Sequence, residues 1–365
     1  MHGVLGPSLV AAGTAACSRL AACSRIEALT KARALLTLEG KLCPTAVFDQ
    51  YWKFAFERMS TFVRRKRGDL ILTEDPIIAQ FRFTNAYRVI DRCTQYLIAH
   101  VIQNYSDPRE VFFRTLLFKI FNKIETWELL ESALGQISVE RFPWSEAAAV
   151  LLREIDAGQT IYSAAYIMPS PSFGFRYKHE NHLALLRSLV DNDTASRWAD
   201  AKSLRQLYTI LRGVPSFGRF LAFQYAIDLN YSDCVEFDEN SFVVAGPGAV
   251  DGISKCFENG NCMEPEVVIA AMTKNQEAQF GRLGLDFCGL YGRPLKLIDC
   301  QNLFCEISKY SRVSHPHIQG VAKRATIKQS YRRSATPIDN LTFPRSWSLE
   351  PKEDYEARVP SVVPR

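Results

Sequence analysis

The run Phe217-Gly-Arg-Phe-Leu-Ala-Phe-Gln-Tyr-Ala-Ile-Asp-Leu229 narrows what this chain can fold into more than any other. At helical spacing Phe217, Leu221 and Tyr225 share one row, Phe223 and Ile227 a second, and Phe220, Gln224 and Asp228 a third. A helix that is apolar on nearly every side belongs inside a core. Gln224 and Asp228 are therefore carried inside with it. Burying an amide or a carboxylate without partners costs about 1–3 kcal/mol or more, so the two are either hydrogen-bonded or line a cavity.

Glycine turns bracket this helix. Gly213-Val-Pro-Ser-Phe-Gly218 lies between an amphipathic run ending at Leu211 and the apolar helix, giving the order helix, hairpin, helix. Ala245-Gly-Pro-Gly248 follows the strand-like Phe242-Val-Val and precedes a short helical run, Val250 to Phe257. Gly213, Gly218, Gly246 and Gly248 permit tight turns, and the unpaired N–H groups at a helix start can face an anion such as a DNA phosphate. Each turn taken alone reads equally as helix punctuation.

The rest of the chain reads as support for this region. It has 365 residues, 47% hydrophobic and 23% charged, enough for one large domain or two modest ones, and a mild net charge of +5. Ten cysteines include no CxxC pair, which removes zinc-ribbon and iron–sulfur spacing; no metal and no cofactor are expected. The apolar settings of Cys93, Cys288 and Cys300 favour reduced core thiols in an intracellular protein. No segment reaches about 18 uncharged apolar residues, so no membrane partner is expected. Residues 1–44 read as a disordered or targeting leader, 45–320 as the helical domain, and 321–365 as a basic disordered tail.

Helices are expected at Ala46–Arg67, from about Asn85 to Gln103, and at about 108–122, 125–136, 144–156, 178–194, 197–211, 264–280 and 295–312. The first ends in Arg64-Arg-Lys-Arg67, favourable at a helix C-terminus and available as a phosphate contact or a nuclear import signal. Nuclear localisation follows if the source is eukaryotic, with organelle targeting by the leader as the other reading. On the second helix Asn85, Arg88, Arg92 and Gln95 form one polar stripe, either solvated or a cleft wall. In the last, Cys300, Leu303 and Ile307 form the buried row, while Asp299, Asn302, Glu306 and Lys309 share a polar face. Glu306 and Lys309 are either an ion pair or a carboxylate and an amine lining one pocket. Arg312 closes this helix as a candidate phosphate contact.

Four phrases together, FTNAYRVIDR, FGRFLAFQYAIDLNY, GPGAVDGI and LIDCQNLFCEISKYSRV, resemble the helical domain of 5-hydroxymethyluracil DNA kinases and the related α-glutamyl/putrescinyl-thymine pyrophosphorylases. The resemblance covers roughly residues 45–325. It implies a mainly α fold similar to the helix-hairpin-helix DNA glycosylases, DNA as partner, and a role in base hypermodification. It also implies an acid about twenty residues after the hairpin, a position that Asp238 matches better than Asp228. In the pyrophosphorylase version a separate kinase supplies a phosphorylated base and an amine or amino-acid co-substrate replaces the leaving group. Asp238 or Glu306 would take the proton, and Arg88, Arg92 or Lys309 would offset the leaving-group charge. A noncatalytic reader of modified DNA and a base glycosylase would use the same pocket. No GxxxxGK[ST] loop occurs in the sequence, so P-loop kinase chemistry is not expected of these residues.

Overall fold

A computed structural model describes residues 42–334, 337–338, 340–350 and 355–362. Nearly all of the expected leader, residues 1–41, lies outside them. The described chain is mainly helical, and its only extended pairings are isolated bridges, Pro44 with Phe257, Phe81 with Ser330, and Leu290 with Arg293. No described helix is long and apolar enough to cross a membrane. All described cysteines are free thiols.

Helix α1, Ala46–Arg67, begins where the Thr45 hydroxyl accepts from Val47 N and ends where Gly68, at φ 87°, turns the chain with its N–H on the carbonyls of Arg64 and Arg65. Only a residue without Cβ adopts that left-handed stop cheaply. The short α2, Pro76–Gln80, follows, capped by the Asp75 carboxylate. The helix expected from Asn85 is broken. Arg88–Ile90 form a single 3-10 turn, Asp91 is extended, and only then does α3, Arg92–Tyr96, begin, continued by a π-helical stretch, Leu97–Ile102. The stripe Asn85, Arg88, Arg92, Gln95 therefore does not share one helix face.

Pro108–Phe121 forms α4, capped by Asp107 and ended by Asn122 at φ 48°. Its apolar residues are buried all round, and Arg114 and Lys119 are buried with them. α5 (Ile124–Leu134), α6 (Trp144–Asp156), α7 (Lys178–Asp191), α8 (Thr194–Arg197) and α9 (Leu204–Arg212) follow; α5, α7 and α8 pack against α4, and α6 packs on α5 and α7. The hairpin leads into α10, Arg219–Asn230, the apolar helix of the sequence, whose residues Ala222 to Leu229 are buried. α11 (Pro247–Cys256), α12 (Pro265–Arg282) and α13 (Leu297–Ser314) complete the body.

The two glycine turns differ in what their glycines do. Gly213 and Gly218 have ordinary negative φ, −75° and −66°, and the left-handed residue of the hairpin is Ser216, at φ 67°. The hairpin is held by buried Val214 and Phe217 and by the Arg212 guanidinium donating to the Phe217 carbonyl. In the second turn the missing side chains make room for neighbours. A Cβ on Gly246 would stand 2.6 Å from the Phe220 ring, on Gly248 2.9 Å from Cys305 Sγ, and on Gly252 2.0 Å from the Phe304 carbonyl oxygen. α11 lies against the backbone of α13 because Gly252 lets it. The amide of Ala245, at the start of this turn, donates to Glu266 at 3.0 Å.

The stretch after Gly320, expected to be disordered, lies along the helical body where it is described. Arg82 N donates to Gln329 O at 3.0 Å and Tyr331 N to Gln80 O at 2.9 Å. Gln95 exchanges hydrogen bonds with Thr342, Trp347 stacks under the Arg293 guanidinium at 3.5 Å, and Tyr355 is buried. The basic run at the end of α1 serves this segment. Arg64 donates to Pro360 O, Lys66 pairs with Glu356, and Arg67 donates to the carbonyls of Glu356 and Val359 and pairs with Asp69. Aromatic residues scattered through a polar sequence carry no periodicity, which is why the segment reads as tail.

Candidate functional site

At the centre of the fold, four side chains from separate segments meet. α10 carries Gln224 and Asp228, each 0% exposed; α4 carries Lys119 and the 3-10 turn carries Arg88, each 1% exposed. Arg88 Nε donates to Gln224 Oε1 at 3.0 Å and Nη2 approaches the Gln224 carbonyl at 3.4 Å. Arg88 Nη1 lies 2.8 Å from Asp228 Oδ1, and Lys119 Nζ lies 3.4 Å from Oδ2. The Gln224 amide nitrogen donates to Gln301 Oε1 at 3.2 Å, and Lys119 Nζ to Asn122 Oδ1 at 2.9 Å. Gln224 and Asp228 are thus both partnered, within a fully buried polar cluster.

The contacts around Asp228 are close but poorly aligned: Arg88 Nη1 and both Asp228 oxygens lack a hydrogen bond of proper geometry, as does the buried Tyr225 hydroxyl. The attraction there is mainly charge on charge. Burial opposes the charge on Arg88, but Asp228, Tyr231 and Tyr166 hold its pKa well above the ordinary value. For Lys119 burial prevails over Asp228 and lowers the pKa. A second acid stands behind. Burial and neighbouring Glu239 raise Asp299 to about 7, although the amides of Lys296 and Arg88 donate to its oxygens. Asp91 is raised to about 6, chiefly by burial.

Aromatic rings cover the cluster. The half-buried Tyr166 ring stacks on Phe220 with centroids 6.0 Å apart and planes 13° from parallel. Its centroid lies 5.0 Å from Lys119 Nζ and 6.0 Å from Arg88 Cζ; the Tyr231 ring lies 5.7 Å from Arg88 Cζ.

Of the residues singled out from sequence, Arg88, Gln224 and Asp228 meet here. Asp238 does not join them. It is exposed in a turn, where its carboxylate accepts from Asn240 N at 2.9 Å; its neighbour Glu239 is the buried acid, paired with Arg293. Glu306 and Lys309 form the ion pair, at 2.8 Å, with Glu306 also accepting from Thr84 N. Asn85 is tied to Arg58 and to Ile90 O, whereas Arg92 is exposed and pairs with Glu125. Arg312 donates to Thr326 O. Gly213 and Gly218 remain in the hairpin, and Gly246 and Gly248 at the start of α11.

Lys119 and Tyr166 went unnoticed. Lys119 carried a usable signal, a single cation within Leu116-Leu-Phe-Lys-Ile-Phe121, because an isolated charge in a buried helix requires a partner. Tyr166 carried none, since it sits in an aperiodic loop. Two surface cavities, about 310 Å³ beside Lys53, Glu57 and Asp75 and about 430 Å³ beside Ile253, Met263 and Pro265, lie apart from these residues. They are open clefts with no comparable set of buried charges. Among the described residues no group of His, Cys, Asp and Glu could hold a metal ion.

Comparison with known proteins gives a family. The family model described as "5-hmdU DNA kinase, helical domain" matches residues 45–320. A curated relative, the 5-hmdU DNA kinase of Bacillus phage SP10, is 26% identical over 288 residues, covering 72% of this chain and 45% of the relative. The chain thus spans under half the length of that relative. No solved structure matches.

Proposed function

The chain belongs to the family of 5-hmdU DNA kinase helical domains, and from that premise we propose that it binds DNA and holds an everted 5-hydroxymethyluracil-type base in the chamber of Arg88, Lys119, Gln224 and Asp228. Modifying a base inside a duplex requires taking it out of the stack, after which aromatic faces hold it and polar groups read its edge. The observation that carries the reading is the convergence of these four side chains, with incompletely satisfied polar atoms, beneath stacked rings. A uracil edge offers two carbonyl acceptors and one N–H donor. Arg88 and the Gln224 amide supply donors, and Gln224 Oε1 or Asp228 accepts the N–H. The hairpin amides near Gly213 and Gly218 and exposed cations such as Arg92 would contact the DNA backbone, in the manner of a helix-hairpin-helix domain.

The enzymatic form of this reading is replacement of a pyrophosphorylated hydroxymethyl group by an amine. The C–N bond forms, the C–O bond to pyrophosphate breaks with its electron pair leaving on pyrophosphate, and the amine's proton passes to a carboxylate. Lys119 and Arg88 would offset the leaving charge, and Asp228 replaces Asp238 as the acceptor of the proton. A separate kinase supplies the pyrophosphorylated base. A noncatalytic reader is the second form, and one observation favours it: both oxygens of the fully buried Asp228 are already engaged by the two cations Arg88 and Lys119.

The test is equilibrium binding to duplexes carrying one 5-hydroxymethyluracil or one thymine at the same position, followed by mass spectrometry of nucleosides after incubation with amine and pyrophosphorylated DNA. Preference for the modified base by about tenfold, some 1.4 kcal/mol, supports the chamber. Equal affinity refutes it. A new aminated nucleoside decides for the enzyme, and its absence alongside selective binding decides for the reader.

A further inference from the structure

Between Ile161 and Pro169 the chain crosses over the cluster; within it Ala165 N donates to Ser163 Oγ at 3.1 Å, and the hydrogen bonds that tie it to the helical body lie at its two ends. Thr126 Oγ1 donates to Ile161 O at 2.8 Å and Ser163 N to Phe121 O at 2.9 Å. At the far end Met168 is buried and the His182 ring holds Pro169 O at 3.1 Å. Ala164, Ala165 and Ile167 are exposed, Ile167 by 65%. Tyr166 alone turns inward, and it does so at φ 54°, a left-handed conformation that a residue with a bulky side chain adopts only at a cost. What the strained residue achieves is to lay a planar ring flat on Phe220, above Lys119 and Arg88. Beneath it Asp228 and Arg88 Nη1 are left without aligned hydrogen bonds. A permanent core contact would be expected to relieve both defects.

We infer that the Tyr166 ring is a placeholder: it occupies on Phe220 the position that a planar heterocycle takes when bound, and the ligand enters by displacing it, with Ala164–Ile167 swinging outward between fixed ends. The inference rests on the base-binding reading and specifies how the site is kept closed. In the bound state the heterocycle stacks on Phe220, its polar edge turns towards Arg88, Gln224 and Asp228, and Tyr166 relaxes into solvent. A closed site lowers apparent affinity by the fraction of molecules that are open.

The experiment compares wild type, Tyr166→Gly and Tyr166→Phe for binding to a duplex carrying one 5-hydroxymethyluracil, with thermal melts to verify folding. Tyr166→Gly removes the ring and accepts φ 54° without strain. If the site is open about a tenth of the time, that variant binds on the order of tenfold more tightly, while Tyr166→Phe, which keeps the ring, binds like wild type. Binding by Tyr166→Gly alone also supports the placeholder, as a site closed almost completely in wild type. Equal binding by wild type and Tyr166→Gly overturns the placeholder and leaves the base-binding reading standing. Weaker binding by a folded Tyr166→Gly overturns it too, and makes Tyr166 a platform for the bound base. Absence of binding by all three proteins overturns the base-binding reading and the placeholder with it. If Tyr166→Gly does not fold, the ring is a core contact and the inference is wrong; Tyr166→Ala checks that outcome.

Discussion

Asp228 and Asp238 show how a single residue's surroundings decide its role. Both are aspartates near the end of the same region, yet one is fully buried between Arg88 and Lys119 and the other caps an exposed turn. Removing the charge of Asp228 leaves two cations buried with too little compensation, a kind of change that costs about 3–5 kcal/mol. Asp228→Asn should therefore lower the unfolding free energy by about that amount in urea titrations, whereas Asp238→Asn should stay within about 0.5 kcal/mol of wild type. Similar losses in the two variants would contradict this assignment. The buried polar row of Gln224 and Asp228 was legible from sequence because helical spacing puts both on one face of an apolar helix. Their partners were not, because Arg88 and Lys119 reach them across sequence separations that no local pattern records.

Helix α10 and most of the helices around it were readable from periodicity, with ends within a few residues of expectation; the exception is 197–211, where α8 and a 3-10 turn, Trp198–Asp200, come first and α9 starts only at Leu204. The helix expected from Asn85 failed because Asp91 is extended and interrupts it, which frees Arg88 to point inward rather than share a stripe with Arg92. Composition marks a glycine as special without saying whether a turn, a ligand or a neighbouring helix needs it. The close approach of α11 to α13 makes Gly252 the critical one. Gly252→Ala should lower the melting temperature markedly, because its Cβ would meet the Phe304 carbonyl and overpacking costs about 1–3 kcal/mol. Gly218→Ala should leave it unchanged or slightly higher, since its φ of −66° suits alanine and the space beyond is open. The reverse order of the two melting temperatures would refute this account of the turns.

On the scale of the whole molecule, a helical body is strapped by a C-terminal stretch that the basic end of α1 holds in place. Of the four cations that suggest phosphate contact in sequence, three are engaged in the protein's own architecture. The buried cluster gathers Arg88, Lys119 and Asp228, and stability alone does not explain them, because a buried ion pair is rarely better than apolar packing. The central claim is that this charge is there to meet an everted base. It is tested most directly by placing 2-aminopurine beside a 5-hydroxymethyluracil in a duplex and following its fluorescence as protein is added at saturating concentration. The account predicts a rise as the modified base leaves the stack, little or no rise when thymine takes its place, and loss of the rise in Gln224→Leu. Saturable binding with no change in fluorescence, or an equal rise with thymine, would contradict it.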